Sequence, residues 1–165
     1  MYVHWSVLFL SILMLIAVIR RPMVTVAGIV GWLGVMFIHE CGHAFAAQRY
    51  GSEVHSIDLY PVFGRTYFGA PDSRFAECMI VWGGVAAQAV VAIPVILFLA
   101  VHGYTSLEPV NALLALFGPY SLMVIVINLL PIPKADGATA WKLLPAVFGP
   151  KRPPQRTPVM QDRWR

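Results

Sequence analysis

Charged side chains are scarce in this chain: 12% of its 165 residues are Asp, Glu, Lys or Arg, against 58% that are hydrophobic. Soluble globular domains carry about twice that charge. Together with a mean hydropathy of +0.69, the deficit argues against an ordinary soluble domain and makes lipid the solvent for much of the chain. Cysteine is rarer still. Cys41 and Cys78 are the only two, and Cys78 opens an apolar run, so a disulfide framework is not expected. No internal repeat is present. No basic residue precedes the first apolar run and no small-residue cleavage site precedes Arg20, so that run reads as a helix rather than a cleaved signal peptide.

What fills the chain instead is long apolar sequence. Met1 to Ile19, Pro22 to Ile38, Cys78 to Val101 and Pro109 to Pro133 contain no acidic or basic residue beyond an occasional His. Each approaches or exceeds the roughly 17 to 25 residues that a helix needs to cross the hydrocarbon core. The expectation is an all-α polytopic membrane protein of about four transmembrane helices, with residues 1–149 as one membrane-embedded domain. Residues 150–165, rich in Pro and Arg, form a basic flexible tail.

Four crossings place the Arg49 to Glu77 loop and the carboxyl tail on one side and the Arg20-Arg21 turn on the other. Arg49, Arg65, Arg74, Lys134, Lys142, Lys151, Arg152, Arg156, Arg163 and Arg165 then share the first side. The positive-inside rule makes that side cytoplasmic. The formal charge of +4 belongs to juxtamembrane segments, so lipid headgroups, not nucleic acid, are the expected partner. Between Ala138 and Phe148, Trp141, Leu143, Leu144 and Val147 beside Lys142 read as a short interfacial helix. Gly28, Gly31 and Gly34 clear a groove for a neighbouring helix. Pro94 and Gly118-Pro119 are expected to kink or interrupt their helices.

The chemistry gathers in His39-Glu40-Cys41-Gly42-His43, at the end of an apolar helical run. Residues four apart share a helical face, so His39 and His43 can offer two imidazole nitrogens to one metal. Glu40, about 100° around the helix, can reach a water beside it. Three ionisable groups in five residues of a membrane segment are expensive, which outweighs a reading as packed interfacial histidines. Cys41 points to another face and is not assigned to the metal. A catalytic zinc needs a third protein ligand. After Asn128, Pro131 and Pro133 must end the last helix and leave Asp136 on an irregular turn, at the same end of the membrane as the histidines. Asp136 is therefore a candidate ligand; taken alone, a helix-terminal or turn aspartate before Gly137 is the commoner explanation.

These two segments resemble the motifs of the site-2 protease family of intramembrane zinc metalloproteases. One is the HExxH of residues 39–43; the other, Asn128, Pro131, Pro133, Asp136 and Gly137, is similar to that family's Asn-x-x-Pro-x-Pro-x-x-Asp-Gly. The resemblance runs from Val24 to Gly137. It implies zinc bound by His39, His43 and Asp136, Glu40 as general acid/base, and Asn128 positioning substrate or stabilising the oxyanion. A third family motif, Gly-Pro-x-x-Asn, is only partly matched by Gly84, Val85 and Gln88, and the chain resembles a minimal core without PDZ or CBS domains. The implied partner is a transmembrane protein or peptide substrate, in regulated intramembrane proteolysis at a bacterial cell membrane, with the active site toward the cytoplasm.

Val54, Ile57, Leu59, Val62, Tyr67 and Phe68 give residues 51–69 the composition of a β-hairpin, with a turn over Pro61 to Gly64. In the family a sheet near the site is thought to engage substrate, and a hairpin that merely caps the helices is the alternative. His55 has no partner at metal-binding spacing and reads as a surface residue. Two other functions use the same residues: a noncatalytic membrane module holding a structural metal, and a metal-ion transporter lined by buried His and Asp.

Overall fold

A computed structural model describes residues 16, 19–60, 64–133 and 135–144. The first apolar run expected as a span lies outside these residues except for Ile16 and Ile19, and the tail from residue 150 lies outside them entirely. The elements are α1 (Pro22–Arg49), β1 (Val54–Leu59), β2 (Gly64–Phe68), α2 (Arg74–His102), α3 (Glu108–Ala115), α4 (Ser121–Leu129) and the short α5 (Gly137–Ala140). A π-helical turn, Leu116–Tyr120, joins α3 to α4 without a break. Three of the four expected spans are thus described, as Pro22–Arg49, Arg74–His102 and Glu108–Leu129.

These helices begin and end where local chemistry directs. Pro22 opens α1, where its missing N–H costs nothing, and Gly51 at φ +76° follows its end. The Ser73 hydroxyl caps α2 by accepting from the Ala76 N–H at 3.1 Å, and Gly103 at φ +70° closes it. Leu130 is extended, as a residue before proline must be, so α4 stops there. Pro94 lies inside an uninterrupted α2, whereas the break expected at Gly118-Pro119 takes the form of the π turn.

The apolar surface of the three long helices faces outward: Phe45, Val90 and Val101 are all more than 70% exposed. Such a surface is stable only in hydrocarbon, so the chain is a membrane protein. Inside, the helices meet through small residues. Gly42 of α1 touches the Gly83 carbonyl of α2, too closely for any side chain at either position. Gly31 and Gly34 do face the third span, where a Cβ would lie 2.8 Å from Leu116 and Phe117 respectively, but Gly28 has nothing within 4 Å. At the far end Arg21 pairs with Glu108 at 2.8 Å, bringing the starts of α1 and α3 together as alternating crossings require.

β1 and β2 pair antiparallel, Leu59 opposite Gly64 and Ile57 opposite Thr66, with an irregularity between Val54 and Ser56. The hairpin read from composition is therefore present, although 61–63 of its expected turn lie outside the described residues. Along β2, Gly64, Thr66 and Phe68 are half-buried while Arg65 and Tyr67 are exposed, the period of a strand with one covered face. Phe68 and Val54 pack on Ala46, Ala47 and Ile80, fastening the hairpin across α1 and α2.

Candidate metal centre

His39 and His43 stand one turn apart on α1, 8% and 7% exposed, their rings edge to face. Asp136 reaches them from the turn after α4. It precedes α5 but makes no side-chain capping bond, so its carboxylate is directed at the histidines instead. Three contacts hold that turn. Trp141 Nε1 donates to the Leu129 carbonyl at 2.6 Å, Trp82 Nε1 donates to Ala140 O at 3.2 Å, and Gly137 lies against the Leu129 and Leu130 carbonyls where no side chain fits. The Asp-Gly pair has a steric reason as well as a chemical one.

His39 Nε2, His43 Nε2 and Asp136 Oδ2 form a triangle with edges of 2.9, 3.0 and 3.2 Å. The other nitrogen of each ring is committed. His39 Nδ1 lies 3.0 Å from Gln88 Oε1 and His43 Nδ1 lies 2.9 Å from the Ile80 carbonyl, two acceptors that call for N–H at both Nδ1 positions. In the neutral rings this leaves a lone pair on each Nε2, facing the other and a carboxylate oxygen. One shared proton bridges two such atoms; a cation satisfies all three. Ligand bonds of about 2.0 to 2.1 Å in a tetrahedral array set ligand atoms about 3.3 Å apart, so small adjustments accommodate zinc. The group His39, His43 and Asp136 can therefore hold a metal ion.

The groups that orient the two imidazoles belong to α2. Gln88, 1% exposed, accepts from His39, and its own Nε2 has no partner among the described residues. Gly84, one turn earlier, makes room: a Cβ there would lie 2.6 Å from His43 Cε1 and Nε2 and 2.8 Å from His39 Cε1. Burial pushes the Asp136 carboxyl upward, but when the imidazoles carry a proton on Nε2, hydrogen bonds and charge from His39 and His43 outweigh it and hold the group well below the usual carboxylate range.

A cavity of about 760 Å³ opens on this group. Trp32, Met36, Tyr120 and Val124 line it together with His39, Glu40, Gln88, Asn128 and the β2 residues Gly64 and Thr66. Tyr120, Val124 and Asn128 follow one another at helical spacing, one face of the third span turned inward past the π turn. Asn128 Nδ2 comes to 3.5 Å from His39 Nε2. An apolar groove of about 540 Å³ beside Leu129 and Trp141 has no titratable side chain and is given no chemical role.

His39, Glu40, His43, Asn128 and Asp136 thus all meet at one cavity. Cys41 lies outside the ligand group and is free, as is Cys78, and His55 is exposed on β1. Three participants carried weak signals or none in the sequence. Gln88 was visible only as a departure from a motif, and Thr66 and the Ile80 carbonyl were invisible. No protein-family model matches the chain, and no curated protein does.

Proposed function

We propose that the chain is an intramembrane metalloprotease of the site-2 protease kind, using zinc held by His39, His43 and Asp136 to hydrolyse a peptide bond of a membrane-spanning substrate. One observation carries the reading. Three acceptor atoms converge at 2.9 to 3.2 Å, with the outward nitrogens of both imidazoles engaged elsewhere, next to a glutamate of the same helical turn.

Among the described residues His39, His43 and Asp136 would hold the zinc, the number of protein ligands found in catalytic rather than structural sites. Held by these residues, zinc would supply Lewis acidity, polarising a carbonyl and bringing the pKa of water from about 15.7 toward about 7. The rest is the work of the chain's own side chains. Glu40 accepts the proton of the attacking water and returns it to the departing amine nitrogen. Asn128, its amide turned toward the ligand group, donates to the substrate carbonyl oxygen as negative charge grows there. Gln88 and the Ile80 carbonyl hold the two imidazoles in the tautomer that presents Nε2 inward. A helical substrate has its carbonyls hydrogen-bonded and shielded, so it must unwind locally to enter. A cavity that sets Asn128, Gln88 and Thr66 among apolar walls next to a hairpin offers groups to receive the freed backbone. The excess of Lys and Arg at the hairpin end supports a site facing the cytoplasm.

The test is zinc content together with cleavage of a synthetic transmembrane peptide by purified protein in detergent, alongside Glu40→Ala. Wild type and variant should each hold about one zinc, and the variant should lose at least about 10²-fold in kcat. Undiminished cleavage by the variant removes Glu40 from the mechanism, and well-folded wild type that takes up no zinc removes the proposal.

A further inference from the structure

Glu40 is 5% exposed, and what covers its carboxylate is β2. The Thr66 hydroxyl lies 2.7 Å from Glu40 Oε2 and 3.1 Å from the Glu40 main-chain carbonyl. Two residues earlier, Gly64 presses on the same side chain: a Cβ at 64 would stand 2.5 Å from Glu40 Cγ and 2.6 Å from Oε1. Gly64 and Thr66 belong to the covered face of β2, whose other end is anchored by Phe68 on Ala46, Ala47 and Ile80. The hairpin is thus fixed at one end to the helix pair and applied at the other to a single carboxylate.

We propose that Thr66 is a positioning residue for Glu40, with Gly64 supplying the space the carboxylate needs, an inference that rests on the protease reading above. A glutamate has three side-chain torsions, and a general base must stay within hydrogen-bond reach of the water it serves. Among the described residues, Thr66 is the hydrogen-bond donor that fixes this side chain. Its hydroxyl carries one proton and faces two acceptors. The contact to Oε2 is the shorter of the two and ties the carboxylate to β2. A threonine serving only the hairpin would bond within the hairpin; this one crosses to α1.

The experiment compares wild type, Thr66→Val and Thr66→Ser as full chains in detergent, reading zinc content, kcat and KM on the same synthetic transmembrane peptide. Thr66→Val keeps the β-branched shape and removes only the hydroxyl. Expected are unchanged zinc, KM within about twofold and kcat lowered by about 10²-fold, the cost of misplacing a catalytic group by about 1 Å. Thr66→Ser, which restores the hydroxyl, should recover most of the rate. A readout independent of turnover is the Tm of Thr66→Val, Glu40→Ala and the double variant, whose shifts should not add if the two side chains hold each other. Gly64→Ala, which intrudes on Glu40 without touching Thr66, should also lower kcat with zinc retained. An active wild type with unaffected Thr66→Val, a valine defect that serine does not relieve, or additive Tm shifts would overturn the inference alone. A wild type that binds zinc and cleaves nothing overturns the protease reading and this inference with it.

Discussion

His39 has two ring nitrogens and the fold uses both, turning Nε2 to His43 and Asp136 and Nδ1 to Gln88. Removing the acceptor leaves a buried N–H unpaired and the ring free to rotate. Gln88→Leu should therefore lower zinc affinity by about 10- to 100-fold, measured by competition with a chromogenic chelator. Gln88→Glu keeps an acceptor at the same place and should retain the metal; equal affinity in the leucine variant would show that Gln88 does not hold the His39 ring for the metal. The residues of this site differ in how far the sequence announces them. His39 and His43 are legible because a helix imposes the i, i+4 face, and Asp136 because two prolines force a turn at the end of the span expected beside the histidines. Gln88 is half legible, four residues after Gly84 on the same face. The Ile80 carbonyl is main chain, which no residue type marks, and Thr66 meets Glu40 across 26 residues through a strand register that composition does not specify.

At the level of elements, small residues decide where helices touch. The repeated spacing of Gly28, Gly31 and Gly34 reads as a contact stripe, and two of the three do meet the third span. The closest approach lies elsewhere, at Gly42 and Gly83, where α1 and α2 cross backbone to backbone. Gly42 sits inside the HExxH segment, so its part in packing is masked by the chemistry on either side. Gly42→Ala puts a methyl group into the Gly83 carbonyl and should destabilise the protein by about 1 to 3 kcal/mol. Gly28→Ala meets nothing and should be neutral or stabilising by up to about 1 kcal/mol, since alanine is the better helix former. Thermal melts in detergent compare the two directly, and a harmless Gly42→Ala would contradict the crossing. The hairpin was legible from β-branched and aromatic residues, but which of its strands lies over the candidate metal site was not, because docking depends on Phe68 finding Ala46, Ala47 and Ile80.

For the molecule as a whole, hydropathy located the three described spans and missed mainly their polar ends: α1 runs on to Arg49, α2 begins at Arg74, and the third span ends at Leu129, short of Pro133. Charge and apolarity alone do not reveal that a helix continues past the membrane or through a functional motif. The orientation has its own test. In right-side-out and inverted vesicles, a membrane-impermeant thiol reagent should reach Arg65→Cys from the cytoplasmic face and Thr105→Cys from the opposite face; the reverse pattern would invert the assignment. The distance along the chain between the ligands carries a further consequence. Asp136 follows His39 by 97 residues, and the turn that carries it is held by Trp82, Trp141 and the close packing of Gly137. At a synthesis rate of about 5 to 20 residues per second, roughly 5 to 20 seconds separate the emergence of the histidine pair from that of its carboxylate. The group of His39, His43 and Asp136 therefore cannot assemble before the third span and the turn beyond it have been made.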